Sequence, residues 1–183
     1  ITQLSQSNLL QGERRLATAG KEFGMAVFDR LQVAADSAAA AADLTGRRGR
    51  AIAIRHFRSL GIMETRHPVR PLFGDVRPLV LTAGVRERLA GGGNALVVAG
   101  SSVFLLVPAD ESASGRIVFG ELNPEYLWGT QELQPTAIDI CVVDSDSRSV
   151  LFCPVPVPEE VLGAISKSSA GLAFGSLTWV RDD

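Results

Sequence analysis

The stretch Gly120-Glu121-Leu122-Asn123-Pro124-Glu125-Tyr126-Leu127-Trp128 decides how this chain is read. Before it stand Ile117, Val118 and Phe119. After it come Ile138, Ile140 and Val142, then Val150 and Phe152 beyond the polar run Asp144-Ser145-Asp146-Ser147-Arg148. β-Branched and aromatic residues fit the pleated, half-buried surface of a sheet, and the polar run has the composition of a hairpin turn, so the region predicts strands joined by tight connections. Pro124 to Gly129 predicts one helical turn between them. Tyr126 and Trp128 add large rings with polar tips, suited either to core packing or to the wall of a pocket.

From Asn94 onwards short apolar segments alternate with turns: Ala95 to Ala99, Val103 to Val107, Arg116 to Leu122, Ala137 to Val143 and Ser149 to Cys153, with Leu172 to Val180 as a final strand. Their short connections argue for an antiparallel sheet. Pro158-Glu159-Glu160 puts acidic residues at the start of a helix running to about Lys167. Towards the N-terminus the character is helical. Ile1 to about Leu44 contains no proline, and Leu9, Leu16, Phe23, Val27, Leu31 and Ala34 recur as a stripe, which predicts a single helix of about 60 Å. A body of this size cannot cover that length, and the seven-residue spacing of Leu9, Leu16 and Phe23 leads us to expect a parallel homodimer contact through this helix.

A second helix is expected from about Arg48 to Leu60, because Ile52, Ile54, Phe57 and Leu60 mark one face and Gly61 follows. Met63 to Pro78, with three prolines and Gly74, reads as an irregular connection. Thr82 caps a short helix through Leu89, closed by Gly91-Gly92-Gly93. The expected fold is therefore α+β: a long helix over residues 1–45, then a second helix and a central antiparallel sheet of five to six strands within residues 46–183.

A chain of 183 residues fits one domain with an appended element and can bury a core without metals or a disulfide framework. Its 18 basic and 20 acidic side chains give a formal charge of −2, no general field for a polyanion, so nucleic acid is not an expected partner. Arg47, Arg48 and Arg50, then Arg55, Arg58, Arg66 and Arg70, lack interleaved aromatics and read as solvated surface. There is no signal peptide and no apolar run of the about 18 residues that a membrane span needs. The chain opens at Ile1 without a methionine and stops soon after Leu177-Thr178-Trp179, which reads as a piece of a longer protein.

Reacting groups are sparse. His56 and His67 are the only histidines, without a second imidazole or thiol at ligand spacing, and His56 is expected inside the second helix in a structural part. Asp144 to Arg148 lacks the later glycine and glutamate of a calcium loop, Gly91-Gly92-Gly93 lacks the lysine of a phosphate loop, and no serine sits in a nucleophile elbow. No catalytic residue, metal or cofactor is expected. If Ala137 to Val143 and Ser149 to Cys153 pair about Ser147, Cys141 faces Cys153 across the hairpin; a disulfide and two separate buried thiols both fit that register. A small-molecule site is expected on one face of the sheet, bordered by Phe119, Tyr126 and Trp128, with Arg116 or Asp139 to orient a polar ligand. Strand alternation puts Arg116 and Phe119 on opposite faces, so at most some of these residues share it.

Gly24-Met25-Ala26-Val27-Phe28-Asp29-Arg30-Leu31, the stretch Gly120 to Trp128, Ile140-Cys141-Val142-Val143-Asp144 and Val150-Leu151-Phe152-Cys153 together resemble the extracytoplasmic Cache or PAS-like sensor region of bacterial membrane-bound signalling proteins, above all those preceding diguanylate cyclase or cyclic-di-GMP phosphodiesterase modules. The resemblance implies a long helix emerging from a transmembrane segment, a central antiparallel sheet, a periplasmic location and a separate cytoplasmic output domain. The chain carries no match to the amino-acid-binding signature found in some Cache domains, so the resemblance leaves the identity of the ligand open. A cytosolic PAS- or GAF-like module acting by protein contact is the alternative expectation.

Overall fold

Small side chains explain how the long helix meets the sheet. In the computed structural model, which describes residues 2–44, 47–64, 67–109, 115–129, 138–144, 149–156 and 160, helix α1 spans Thr2–Asp43. Its inner half buries Phe23, Val27, Leu31, Ala34, Ala35, Ala38, Ala41 and Ala42, the three- and four-residue recurrence of one helical face. The alanines near its C-terminal end let the helix backbone lie close to its neighbours. Helix α2, Arg47–Ala53, turns back against this end with Gly49 and Ala53 inward. A Cβ at Gly49 would stand 2.8 Å from Ala41 O, so only glycine permits that approach.

Five strands follow: β1 Phe57–Glu64, β2 His67–Phe73, β3 Ala95–Ala99, β4 Ser102–Pro108 and β5 Ile117–Leu122. They form one antiparallel sheet in the order β2-β1-β5-β4-β3, with α3, Ala83–Ala90, before β3 and the single-turn α4, Pro124–Trp128, after β5. Thr82 caps α3 by accepting from Val85 N, and Gly91 closes it. A separate two-stranded sheet pairs β6, Val142–Val143, with β7, Val150–Phe152. The α+β fold expected from the sequence is the fold observed, with five strands in the central sheet. The strand over Leu172 to Val180 lies outside the described residues, as does the helix expected from Pro158 apart from Glu160.

Strand alternation divides the interior in two. Val103, Leu105 and Val107 of β4 and Val118 and Leu122 of β5 face α1 and α4, whereas Phe104, Leu106 and Phe119 face Leu89 and the partly buried Leu79, Leu81 and Val85 on the other side. Because α1 supplies much of the first core, it belongs to the folded body from Phe23 onward, within the single span that also holds the sheet.

Two expectations are corrected. The second helix stops at Ala53, and Phe57 to Leu60 begins a strand. A bulge at Arg58, between the pairs Phe57↔Leu122 and Ser59↔Glu121, adds one residue to β1, so Phe57 and Leu60 both join the core beneath α1 at a spacing that imitates a helix. The proline-rich connection after Met63 contains β2, an edge strand, where Pro68 and Pro71 can sit without breaking a central ladder.

Candidate functional site

Three elements converge on His56. It stands between α2 and β1, where its N–H donates to Ala53 O and its carbonyl accepts from Asn123 N, the residue that caps α4. The expectation of His56 inside a helix is thus overturned. Its ring meets Tyr126 of α4 edge-on, with centroids 4.4 Å apart and planes at 63°. Its Nδ1 lies 2.9 Å from the hydroxyl of Ser37, a buried residue of α1. Ser37 has one hydroxyl proton, which it donates to Ala34 O at 2.8 Å. Hydrogen-bond accounting therefore makes Nδ1 the donor to Ser37 and leaves Nε2 as the basic nitrogen.

Tyr126 and Arg30 complete the joint. The Tyr126 hydroxyl donates to Arg30 O at 3.0 Å, while Arg30 donates back to Tyr126 O at 2.6 Å and to Leu127 O at 3.5 Å. The guanidinium also lies 5.8 Å from the centre of the Tyr126 ring. A cation thus meets carbonyls at the end of the short helix, where backbone acceptors lack internal partners. Burial pushes the Tyr126 phenol up, against the opposing pull of Arg30 and Arg55. Burial, then Arg55, holds the His56 imidazole below its ordinary value.

The residues expected to form a pocket are spread over the molecule. Phe119 belongs to the core under α3, on the far face of the sheet from Tyr126 and Trp128. Trp128 is buried and stacks on Phe152 at 6.1 Å, and Phe152 stacks in turn against Phe23 of α1 at 6.5 Å. Arg116 donates to Ala42 O at 3.0 Å, satisfying a carbonyl near the C-terminal end of α1, and approaches Glu64 at 4.0 Å. Asp139 is exposed, next to Ile138, which faces α1 between Gln11 and Glu22. Arg116 and that segment therefore meet parts of α1 about 30 Å apart along its axis. The single ligand pocket expected from these residues is not assembled, because strand alternation and the length of α1 separate them.

Cys141 and Cys153 are joined by a disulfide, with Cα atoms 4.3 Å apart. The pair Val142↔Phe152 sets the register that brings them opposite each other. Two open depressions lie near this hairpin, one along Val150 to Pro156 and the other between Ile138 and the outer turns of α1, and neither is lined by Phe119, Tyr126 or Trp128. Among the described residues no group of three or more His, Cys, Asp or Glu could hold a metal ion, and no helix is long and apolar enough to cross a membrane.

The sequence held no spacing cue for the His56 joint. Arg30 and Tyr126 are 96 residues apart, and Ser37 and His56 belong to different helical patterns. Only the concentration of the chain's sole tyrosine and a tryptophan beside Pro124 pointed to this region. No protein-family model, curated protein or solved structure matches the chain.

Proposed function

We propose that this chain is the extracytoplasmic sensing region of a bacterial membrane-bound signalling protein, and that it passes a conformational change along α1 to a cytoplasmic output module of the cyclic-di-GMP type. The observation that carries the reading is the division of α1. Its inner half is built into the core and tied to α4 by Arg30 and Tyr126, while Leu16 and its neighbours on the outer half are exposed. A rearrangement at the sheet therefore has a rigid element through which to leave the body. A five-stranded antiparallel sheet with a long N-terminal helix along one face agrees with the Cache and PAS resemblance. The Cys141–Cys153 bond suits an oxidising compartment.

The test is topological. A reporter enzyme that matures only outside the cytoplasm, fused after Asp183 in the intact gene, should be active. An inactive fusion, with the same reporter active on a known secreted control, would instead support a cytosolic module working by protein contact.

A further inference from the structure

Where α1 meets α4, the described residues hold a proton acceptor. His56 touches α1 through Ser37, touches α4 through Tyr126 and, through its carbonyl, the cap residue Asn123. With Nδ1–H given to Ser37, Nε2 is the nitrogen that can take another proton. Uptake there places a full positive charge in a half-buried ring.

Among the described residues, little around the ring can accept that charge. From its own turn comes Arg55, and behind the Tyr126 ring lies Arg30 on α1, both cations. The acidic residues beside the contact points, Asp36 on α1 and Glu125 on α4, are solvent-exposed, and Asp36 accepts from Gln32. Glu121 of β5 is paired with Arg58 of β1 at 3.8 Å and accepts from Ser102. Ser37 and Tyr126 themselves are neutral. Protonation is therefore easier once the ring has left the joint for water.

We propose that the proton is the cue this domain reads, taken up by His56 at Nε2, and that its uptake loosens the clasp by which Ser37, Arg30 and Tyr126 hold α1 to α4. The inference rests on reading the chain as a sensor, and it names that sensor's ligand. Burial and Arg55 hold the imidazole below its ordinary value of 6.5, so acid should drive the joint open rather than simply charge it in place. Opening frees the part of α1 from Arg30 to Ser37, the segment between the turn buried at Phe23 and Val27 and the buried C-terminal end from Ala38 to Ala42.

The experiment follows the 183-residue chain by NMR between pH 8 and pH 5, reading the His56 ring resonances and amide hydrogen exchange over Arg30 to Ser37. His67→Gln assigns the two imidazoles. If opening takes up one proton, protection over this segment should fall by up to about tenfold per pH unit below the ordinary histidine value, beyond the change in intrinsic exchange. His56→Asn keeps a neutral donor for Ser37 and should give a flat profile. The proposal fails if His56 titrates while α1 protection stays constant, or if His56→Asn loses protection in acid as the parent does. Should that variant not fold, the parent decides alone: the ring and the α1 amides must titrate together below the ordinary value. A failure here leaves the location assay untouched, and an inactive reporter fusion leaves the pH response untouched.

Discussion

From Ala19 inward α1 buries Phe23, Val27, Leu31, Ala34 and Ala38, whereas Leu16, seven residues before Phe23 on the same stripe, is 44% exposed. The two halves differ little in apolar pattern; they differ in what covers them. Inward, β4, β5 and α4 lie against the helix, and Phe152 of β7 stacks on Phe23. Outward, among the described residues, it is the neighbourhood of Ile138 that borders Gln11 to Glu22. A helical stripe thus reports that a surface is suited to burial, and the surrounding topology decides whether the same chain buries it.

The largest expected effect cuts the packed half. Leu31 is fully enclosed, so Leu31→Ala should remove transfer energy and leave a cavity, lowering stability by about 2–5 kcal/mol in urea unfolding. Leu16→Ala should stay within about 0.5 kcal/mol. Equal effects at the two positions would mean that the outer half is covered as fully as the inner one.

Next comes the hairpin that reaches the helix through Phe152. Replacing both cysteines by serine should cost about 2 kcal/mol, the lower part of the usual range, because the bond closes a loop with a sequence separation of only 12. Reductant should produce the same loss in the parent chain and none in the double variant. Faster hydrogen exchange around Phe23 would show that the hairpin supports the inner half of α1 from outside the main sheet.

The clasp itself is smaller. Tyr126→Phe keeps the ring against His56 and removes only the donor to Arg30 O, so a loss of about 1 kcal/mol is expected. Arg30→Ala should cost at least as much, since the carbonyls of Tyr126 and Leu127 lose their charged donor. A double-mutant cycle showing no coupling between Arg30 and Tyr126 would remove the clasp as an energetic unit.

The fold was legible where its cause is local, and obscured where it is not. The long helix, the Thr82 cap, β3 and the facing cysteines all follow from neighbours in sequence. The bulge at Arg58 shifted Phe57 and Leu60 into helical spacing and concealed β1, while edge position excused the prolines of β2. The pocket expected around Phe119, Tyr126 and Trp128 failed because adjacency in sequence does not say which face of a sheet a turn returns to. The joint that replaced it is made of contacts between distant segments, which periodicity cannot show.

The pH dependence of global stability follows from the lowered value of His56. The unfolded chain takes up this proton near 6.5, whereas the folded chain takes it up only at lower pH, so between those points the unfolded state holds more protons. The His56 contribution is therefore fully present above 6.5 and is lost as pH falls towards the folded value. Thermal melts from pH 8 to 5 should show that loss in the parent and a shallower one in His56→Asn. Identical slopes would show that the ring is solvated in the folded state.

The smallest effect on stability concerns how two chains would meet. The sequence led us to expect a parallel homodimer seam through Leu9, Leu16 and Phe23, but Phe23 is 6% exposed and spends its surface within its own chain. Any self-association along this stripe must therefore use the outer half. Leu16→Asp should leave the melting temperature almost unchanged, because that side chain buries little in the monomer, yet it should weaken association in sedimentation equilibrium. Phe23→Asp should unfold the inner half whatever the oligomeric state, since it forces a carboxylate into the core. If Leu16→Asp leaves association unchanged, or if the parent is monomeric at every concentration, the exposed end of α1 is not a seam between copies of this chain, and the stripe beyond Ala19 carries no dimer contact of its own.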